Sequence, residues 1–226
     1  MTKVAIVYHS GSGRTGLLAQ AVHRGAARVE GVTADLLRIV PEQLDRRTRW
    51  RDEETMRTLQ DADGVIFGCT TLMGMPSAPF KAFMEGCFDP WWVQGWKDKF
   101  AGGFTNSASL NGDKTNTLIQ LLVFAAQMGM IWIPMGDHPG ANWSGAGVDD
   151  VNRLGSFLGP MSQSLADLPV EQATPPSDLV TGERYGERFA RIVRHWVQGG
   201  EFPTERYVDK ATSAARLRQA AATAAA

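Results

Sequence analysis

The chain has 226 residues, of which 43% are hydrophobic and 21% are charged, a composition that suits one globular domain and excludes wholesale disorder, collagen and a coiled coil. Its 23 Lys and Arg balance 24 Asp and Glu, for a formal net charge of −1, so no positive excess favours nucleic acid or an anionic lipid surface. Because it has two cysteines, no secretory leader pattern and no apolar run of about 20 residues, we expect a cytoplasmic protein that does not insert into a membrane.

Short apolar runs alternate with segments of helical period along the chain. Buried strands are predicted where the runs are rich in β-branched or small apolar residues and end at glycines or polar residues, over residues 4–8, 32–39, 64–68, 100–105 and 130–133. A loop and a short helix are predicted between the second and third of these strands. Longer helices are predicted where apolar residues recur on one face, over 15–30, 77–87, 114–128 and 178–197. Ser177 or Asp178 is expected to cap the last of them.

Strands that alternate with helices pair in parallel, because each helix supplies the long crossover that parallel pairing needs. The sequence therefore predicts an α/β fold with a doubly wound, five-stranded parallel sheet, in which the strand order is 2-1-3-4-5 or 3-2-1-4-5. Residues 135–176 lack a clear period and are predicted to be an irregular insertion, and a stretch this long usually has a function. We expect one domain over residues 1–198, followed by a C-terminal tail over 199–226 that is frayed or disordered.

The loop after the first strand is the most informative segment of the sequence. It reads Ser-Gly-Ser-Gly-Arg-Thr-Gly over residues 10–16 and opens a helix, whose first N–H groups are unpaired and favour an anion. Its glycines allow the backbone to approach a ligand closely, and the hydroxyls of Ser10, Ser12 and Thr15 add three donors. These donors suit the three terminal oxygens of a phosphate monoester.

The same loop has three other interpretations. Residues 11–16 match the Gly-x-Gly-x-x-Gly pattern of dinucleotide sites, although the second strand ends in Arg38 and Ile39 rather than in the acidic residue that such sites use. A Walker loop is excluded because no Lys precedes Thr15. A Gly/Ser turn without a ligand is the remaining alternative.

Three segments together resemble the flavodoxin-like NAD(P)H:quinone oxidoreductases, and most closely the WrbA-type flavoproteins. They are the loop at 10–16, the segment 67–74 after the third strand and the segment 104–112 after the fourth. The resemblance extends over roughly residues 3–197. It implies the strand order 2-1-3-4-5, noncovalent FMN, NADPH or NADH as electron donor, and a homodimer or homotetramer.

The resemblance also assigns the cofactor contacts, because the loops at the carboxyl ends of strands one, three and four meet at the switch point of this fold. The residues that it places at the FMN phosphate are Ser10, Ser12, Gly13, Arg14 and Thr15. Those that it places along the ring system and the ribityl chain are Thr70, Thr71, Leu72, Met73, Gly74, Ser107, Ser109, Leu110, Asn111 and Gly112. At the second loop the family usually has Pro-Thr-Arg-Phe-Gly, whereas this chain has Thr-Thr-Leu-Met-Gly. No metal site is predicted.

Several other side chains have a functional and a structural interpretation. His138 is the candidate catalytic residue, as a histidine that protonates the quinone oxygen, and the alternative is a histidine in a surface loop. Cys69 is either a redox group or a small apolar filler. Trp91, Trp92 and Trp96 form either a packed surface flap, or a wall of the active site or a subunit interface.

The resemblance implies an FMN-dependent oxidoreductase that transfers electrons from NAD(P)H to quinones or similar flat acceptors by two-electron reduction. One alternative is a flavodoxin-type electron carrier, which binds FMN without oxidising NAD(P)H directly. Carriers tend to be short and strongly acidic, which this chain is not. The other alternative is a flavin-free member with a structural or regulatory role, because Leu72 and Met73 replace the usual Arg and aromatic residue.

Overall fold

The computed structural model describes residues 1–45 and 49–199. In chain order, the strands in these residues are Thr2–His9 (β1), Val32–Ile39 (β2), Gly64–Leu72 (β3), Met75–Pro76 (β4), Phe100–Ser107 (β5), Ile131–Trp132 (β6) and Met161–Gln163 (β7). The α-helices are Arg14–Ala27 (α1), Glu53–Asp61 (α2), Ala78–Gly86 (α3), Phe88–Trp92 (α4), Lys114–Gln127 (α5), Val170–Ala173 (α6) and Pro176–Val197 (α7). The C-terminal tail predicted over 199–226 lies, apart from Gly199, outside the described residues.

The main path of the sheet follows the order β2-β1-β3-β5-β6, and its strands pair in parallel. The predicted α/β fold with a parallel sheet is confirmed. The prediction of five strands in the order 2-1-3-4-5 needs correction, because the described sheet has seven strands. The two additional strands are β4, which pairs antiparallel with β3, and β7, which pairs in parallel with β5. Both are too short for a hydrophobic period to reveal them.

The edge of the sheet beside β5 is shared between two short strands. β6 pairs with the first two residues of β5, and β7 pairs with its last three. The segment 135–176, which was predicted to be irregular, therefore contains β7 and α6. This pairing fixes part of the segment at the carboxyl end of β5.

Helices cover both faces of the sheet, because side chains along its central strands alternate between two buried faces. On one face, Ile6 and Ile66 pack with side chains of α1 and α7. On the other face, Val7 and Phe67 pack with side chains of α3 and α5. The carboxyl ends of β1, β3 and β5 are thereby held on a rigid scaffold. None of the described helices is long and apolar enough to cross a membrane.

The three tryptophans of the segment 91–96 have different environments. Trp96 is fully buried and stacks on Phe67, with ring centroids 6.3 Å apart. Trp92 is 71% exposed. Trp96 is therefore a core residue and does not belong to a surface flap with the other two.

Candidate functional site

The loop between β1 and α1 has the geometry of an anion site. Gly13 precedes the helix with a φ of 89°, a left-handed conformation that favours glycine, and no side chain within the described part of the chain caps α1. The N–H groups of the first helical turn have no acceptor within the helix, and the helix dipole adds partial positive charge there. Ser12 is exposed beside this end of the helix, so its hydroxyl is accessible to a ligand.

Ser10 and Thr15 lie beneath the loop, where they are 2% and 1% exposed. The Ser10 Oγ accepts a hydrogen bond from the Gly16 N–H at 3.2 Å, and the Ser10 carbonyl accepts one from Arg38 Nη2 at 3.0 Å. These bonds fix the path of the chain from β1 into α1. Ser10 thus shapes the loop from below, while Ser12 lies on its surface.

Arg14 connects the loop to the segment that follows β7. Its Nη2 donates to the carbonyls of Ala166 and Leu168 at 3.1 and 2.8 Å, whereas its Nε is buried without a hydrogen-bond partner among the described residues. A buried donor without an acceptor costs desolvation energy. The guanidinium therefore fits an anion bound beside the N-terminus of α1.

The second loop is a tight hairpin between β3 and β4. Met73 and Gly74 have φ values of 50° and 75°, as a two-residue type I′ turn requires, and the flanking residues pair directly across it. Leu72 and Met73 are 56% and 99% exposed. The hairpin thus presents apolar side chains that suit contact with a flat ring.

The two threonines before the hairpin point in opposite directions, because side chains alternate along a strand. The hydroxyls of Thr70 and Thr15 lie 2.7 Å apart and share a hydrogen bond. The Thr71 hydroxyl is buried, lies 2.7 Å from the Thr105 hydroxyl and donates to Thr117 Oγ1 at 2.8 Å. Thr70 therefore joins the first two loops, whereas the Thr71 side chain ties β3 to β5 and α5.

The third loop, residues 107–112, lies over a buried lysine. Lys114 is 0% exposed, and its Nζ donates to Ser107 Oγ at 2.9 Å and to the carbonyls of Ser109 and Leu110 at 2.6 and 3.0 Å. Ser109 and Leu110 are themselves exposed. Lys114 is not recognisable from the sequence, because a lysine is almost never fully buried unless it has partners, and its partners lie in the loop and not in a recognisable motif.

A buried ion pair lies behind Lys114. Arg153 donates to the two carboxylate oxygens of Asp178 at 2.8 and 2.9 Å, and the same carboxylate accepts from the Gln163 N–H at 2.9 Å. Burial lowers the pKa of Lys114 to about 8, while the charge of Asp178 opposes this shift and that of Arg153 reinforces it. The prediction that Ser177 or Asp178 caps α7 is wrong, since neither is the N-cap and the Asp178 carboxylate is engaged by Arg153.

The three loops lie side by side, because β1, β3 and β5 are neighbours in the sheet. The hydrogen bond between Thr15 and Thr70 joins the first loop to the second. Asn116 Nδ2 donates to the Gly74 carbonyl at 2.8 Å, which joins the hairpin to the start of α5. The structure thus brings the segments that contain the cofactor-binding candidates to one edge of the sheet.

His138 lies in the segment after β6 and is exposed. The preceding residue, Asp137, accepts two hydrogen bonds from Arg184 of α7 at 2.8 and 3.0 Å. Within residues 1–45 and 49–199, no hydrogen bond or ion pair joins His138 to the three loops. Its catalytic role stays a prediction.

Cys69 lies near the carboxyl end of β3, where this strand pairs with both β1 and β5. It is fully buried. Burial raises the pKa of its thiol to about 12. Because the thiolate is the reactive form, the environment favours the interpretation of Cys69 as an apolar filler over that of a redox group.

A doubly wound α/β sheet with the order β2-β1-β3 and with a loop that suits an anion after its first strand has the architecture of flavodoxin-like proteins, in which FMN binds at the β1/β3 switch point. Residues 2–139 match the NADPH-dependent FMN reductase family, and the chain belongs to this family. The matched region contains all three loops.

Individual relatives extend the similarity over most of the chain. Flavodoxin FldP of Pseudomonas aeruginosa is 40% identical over 192 residues, which cover 85% of this chain and 97% of that protein. Quinone-oxidoreductase QR2 of Triphysaria versicolor is 35% identical over 150 residues, which cover 62% of this chain and 73% of that protein. The crystal structure of the flavodoxin, WrbA-like protein from Agrobacterium tumefaciens has a TM-score of 0.65 and 35% identity, and covers 86% of this chain and 99% of that one.

These findings confirm the resemblance to the WrbA-type flavoproteins and the flavodoxin-like fold. They also confirm an oxidoreductase that uses FMN and takes electrons from NAD(P)H. The described residues fit this cofactor, because α1 has no side-chain cap and the buried Arg14 Nε lacks an acceptor.

Proposed function

We propose that this protein uses bound FMN to transfer two electrons from NADPH or NADH to a quinone or a similar flat acceptor. The observation that carries the proposal is the set of three joined loops, which combines an anion site at α1 with an exposed apolar hairpin. Two relatives support the acceptor class through their names, Quinone-oxidoreductase QR2 and an NAD(P)H dehydrogenase (quinone) of Archaeoglobus fulgidus, the latter 28% identical over 85% of this chain.

The residues of each loop have separate tasks in this proposal. The N-terminus of α1, Ser12 and Arg14 hold the phosphate, Leu72 and Met73 border the ring system, and the loop 107–112 borders the opposite edge. When bound, the cofactor supplies the redox chemistry, and the protein binds and orients it and adjusts its electronics. The exposed apolar surface of the hairpin leaves room for a flat acceptor to approach.

His138 is the proposed proton donor to the acceptor. Because it is exposed and makes no polar contact with the three loops of its own chain among the described residues, we place this role in the proposed homodimer or homotetramer, where a second copy brings the histidine to the site. Light scattering tests the assembly, and a His138→Asn variant is expected to lower kcat while FMN affinity stays unchanged.

The decisive experiment for the proposed function follows the cofactor. Titration of the purified protein with FMN is expected to quench FMN fluorescence with saturation, and anaerobic NADPH or NADH is expected to bleach the visible absorbance of the complex. Added quinone should restore it. A well-folded protein that neither binds FMN nor bleaches would contradict the proposal.

The 40% identity to a flavodoxin favours one second candidate function, that of an electron carrier. The net charge of −1 argues against it, because a carrier uses a strongly acidic surface to steer its partners. Stopped-flow mixing distinguishes the two functions: direct reduction by NAD(P)H identifies the enzyme, whereas reduction that requires a separate reductase identifies the carrier.

We also propose that residues 1–198 form one FMN-binding domain and that the protein is cytoplasmic. Side chains from β1 through α7 share the two cores, which supports a single domain. Cys69 and Cys87 are both free and buried, as suits a reducing compartment.

A further inference from the structure

The carbonyl groups of residues 108–110 each accept a hydrogen bond from a side chain, and those of residues 109 and 110 point inward to the buried Lys114. The side-chain amide of Gln163 donates to the first of them at 3.2 Å, and the Nζ of Lys114 donates to the second and third at 2.6 and 3.0 Å. The described peptide bonds are trans, and in a planar trans peptide the C=O and the following N–H point in opposite directions. The same contacts therefore turn the N–H groups of residues 109–111 toward the surface.

These outward N–H groups form an array that suits negative charge. None of the three has a hydrogen-bond partner within residues 1–45 and 49–199, and Leu110 at the centre of the array is 60% exposed. Successive unpaired backbone N–H groups are a common way for proteins to bind anionic atoms. The ammonium of Lys114 lies directly beneath the array and adds positive charge to the same place.

We propose that Lys114 is a positioning residue that aims these N–H groups at the pyrimidine edge of the flavin ring, the edge that gains negative charge on reduction. The inference rests on the proposed function, because it takes the loop 107–112 to be one border of the FMN site. In this inference Lys114 acts through the loop backbone and determines how strongly the site favours the reduced cofactor over the oxidised one.

The cost of burying this charge supports a functional role. Burial lowers the pKa of Lys114 to about 8, so the fold accommodates the ammonium against a desolvation penalty that an apolar side chain of similar length avoids. The charged groups that face it are Asp178 at the start of α7 and Arg153, which pair with each other. Because this pair is nearly neutral as a unit, the charge of Lys114 is not cancelled.

The test replaces Lys114 by methionine and measures the midpoint potential of the FMN-loaded protein together with the affinity for oxidised FMN. In Lys114→Met the Leu110 carbonyl loses its donor and the Ser109 carbonyl keeps only the Ser107 hydroxyl, which donates to it at 3.0 Å. The N–H array is then held outward less firmly. We expect the affinity for reduced FMN to fall about tenfold more than that for oxidised FMN, which lowers the two-electron midpoint potential by about 30 mV.

Lys99→Met is the matched control. The Nζ of Lys99 also donates to two backbone carbonyls, those of Leu59 and Gln60 at the end of α2, but Lys99 lies next to the amino end of β5, away from the three loops. This variant is expected to lower the unfolding temperature without moving the potential. Gln163→Leu frees only the first carbonyl of the array and is expected to shift the potential in the same direction as Lys114→Met, by a smaller amount.

The outcomes separate this inference from the proposed function. If the wild type binds FMN and neither Lys114→Met nor Gln163→Leu lowers the potential, the inference is wrong and the proposed function stands. An equal shift in Lys99→Met also overturns it, since the effect then reflects general loosening. If Lys114→Met does not fold, the result with Gln163→Leu decides alone. Failure of the wild type to bind FMN contradicts the proposed function itself.

Discussion

At the phosphate end of the candidate site the donors are the N-terminus of α1 and the side chains of Ser12 and Arg14, whereas at the ring end the hairpin presents Leu72 and Met73, which are 56% and 99% exposed. In the proposed function the first region binds through backbone geometry and charge, which suit any phosphate monoester. In the same proposal the second region contacts its ligand through the apolar side chains of Leu72 and Met73. We therefore expect retention of the cofactor and choice of the acceptor to be separable properties.

The largest effect is expected from Ser12→Glu at the phosphate end. A carboxylate beside the bound phosphate repels its two negative charges, so we expect the FMN dissociation constant to rise by about 100-fold or more. The variant should fold at least as stably as the wild type, because a carboxylate suits a helix N-terminus. Fluorescence titration measures the affinity, with Ser12→Ala as a control that costs only a few-fold. If Ser12→Glu keeps wild-type affinity for FMN, the phosphate does not bind at this loop.

A smaller effect at the same end is expected from Arg14→Met. The variant loses the donor for the carbonyls of Ala166 and Leu168 and also the unpaired buried Nε. We expect FMN affinity to fall about tenfold, as for one charge-assisted hydrogen bond, and amide hydrogen exchange to become faster in residues 165–168. Arg28→Met is the control, since Arg28 pairs with Glu183 near the far end of α1. Equal losses in both variants would mean that Arg14 contributes nothing specific to binding.

At the ring end, the double variant Leu72→Ser, Met73→Ser is expected to affect the acceptor more than the cofactor. Loss of apolar contact of this size corresponds to about 1 kcal/mol, so KM for a quinone should rise about fivefold. FMN affinity should stay within about twofold of the wild type, because the phosphate end is intact. Steady-state kinetics and FMN titration measure the two quantities. A large loss of FMN affinity with unchanged KM would reverse the assignment of the two regions.

The smallest effect is expected at His9, the last residue of β1, and it concerns the dependence of stability on pH. Its Nδ1 lies 2.8 Å from Ser77 Oγ in a buried position, and burial, with a contribution from Arg38, lowers the pKa of its imidazole below the usual value. The unfolded chain therefore binds a proton more readily, and the free energy of unfolding should decrease as the pH falls below about 6.5. Urea denaturation between pH 7 and pH 5 should show a flatter dependence for His9→Gln, and an identical slope would assign the titration to another group.

The sequence was a good guide wherever the signal is local. Residues 32–39 were predicted as a strand and β2 has these bounds, because the apolar run is bordered by Gly31 and Pro41. The candidate phosphate loop stands out for the same reason, because its glycines, its hydroxyls and the helix that follows lie within one short segment, and its role as a phosphate site stays a prediction. The three loops at the strand ends could be inferred from the alternation of strands and helices.

The sequence was a poor guide where partners are distant along the chain. β7 has three residues and exists because β5 offers a free edge beyond β6, which no local period reveals. The sequence predicts Asp178 as a cap of α7, yet it lies within the first turn of that helix and its carboxylate pairs with Arg153, 25 residues away. Lys114 is the first residue of a helix that the sequence predicts. Only the fold shows that its ammonium donates to the carbonyls of the loop before it.

The most direct test of the whole account is a crystal structure of the protein in complex with FMN. The account predicts that the phosphate accepts hydrogen bonds from the N–H groups of Arg14 and Thr15 and from the Ser12 hydroxyl, and that the ring lies between the hairpin and the loop 107–112. FMN bound elsewhere on the chain, with solvent at the N-terminus of α1, would contradict it.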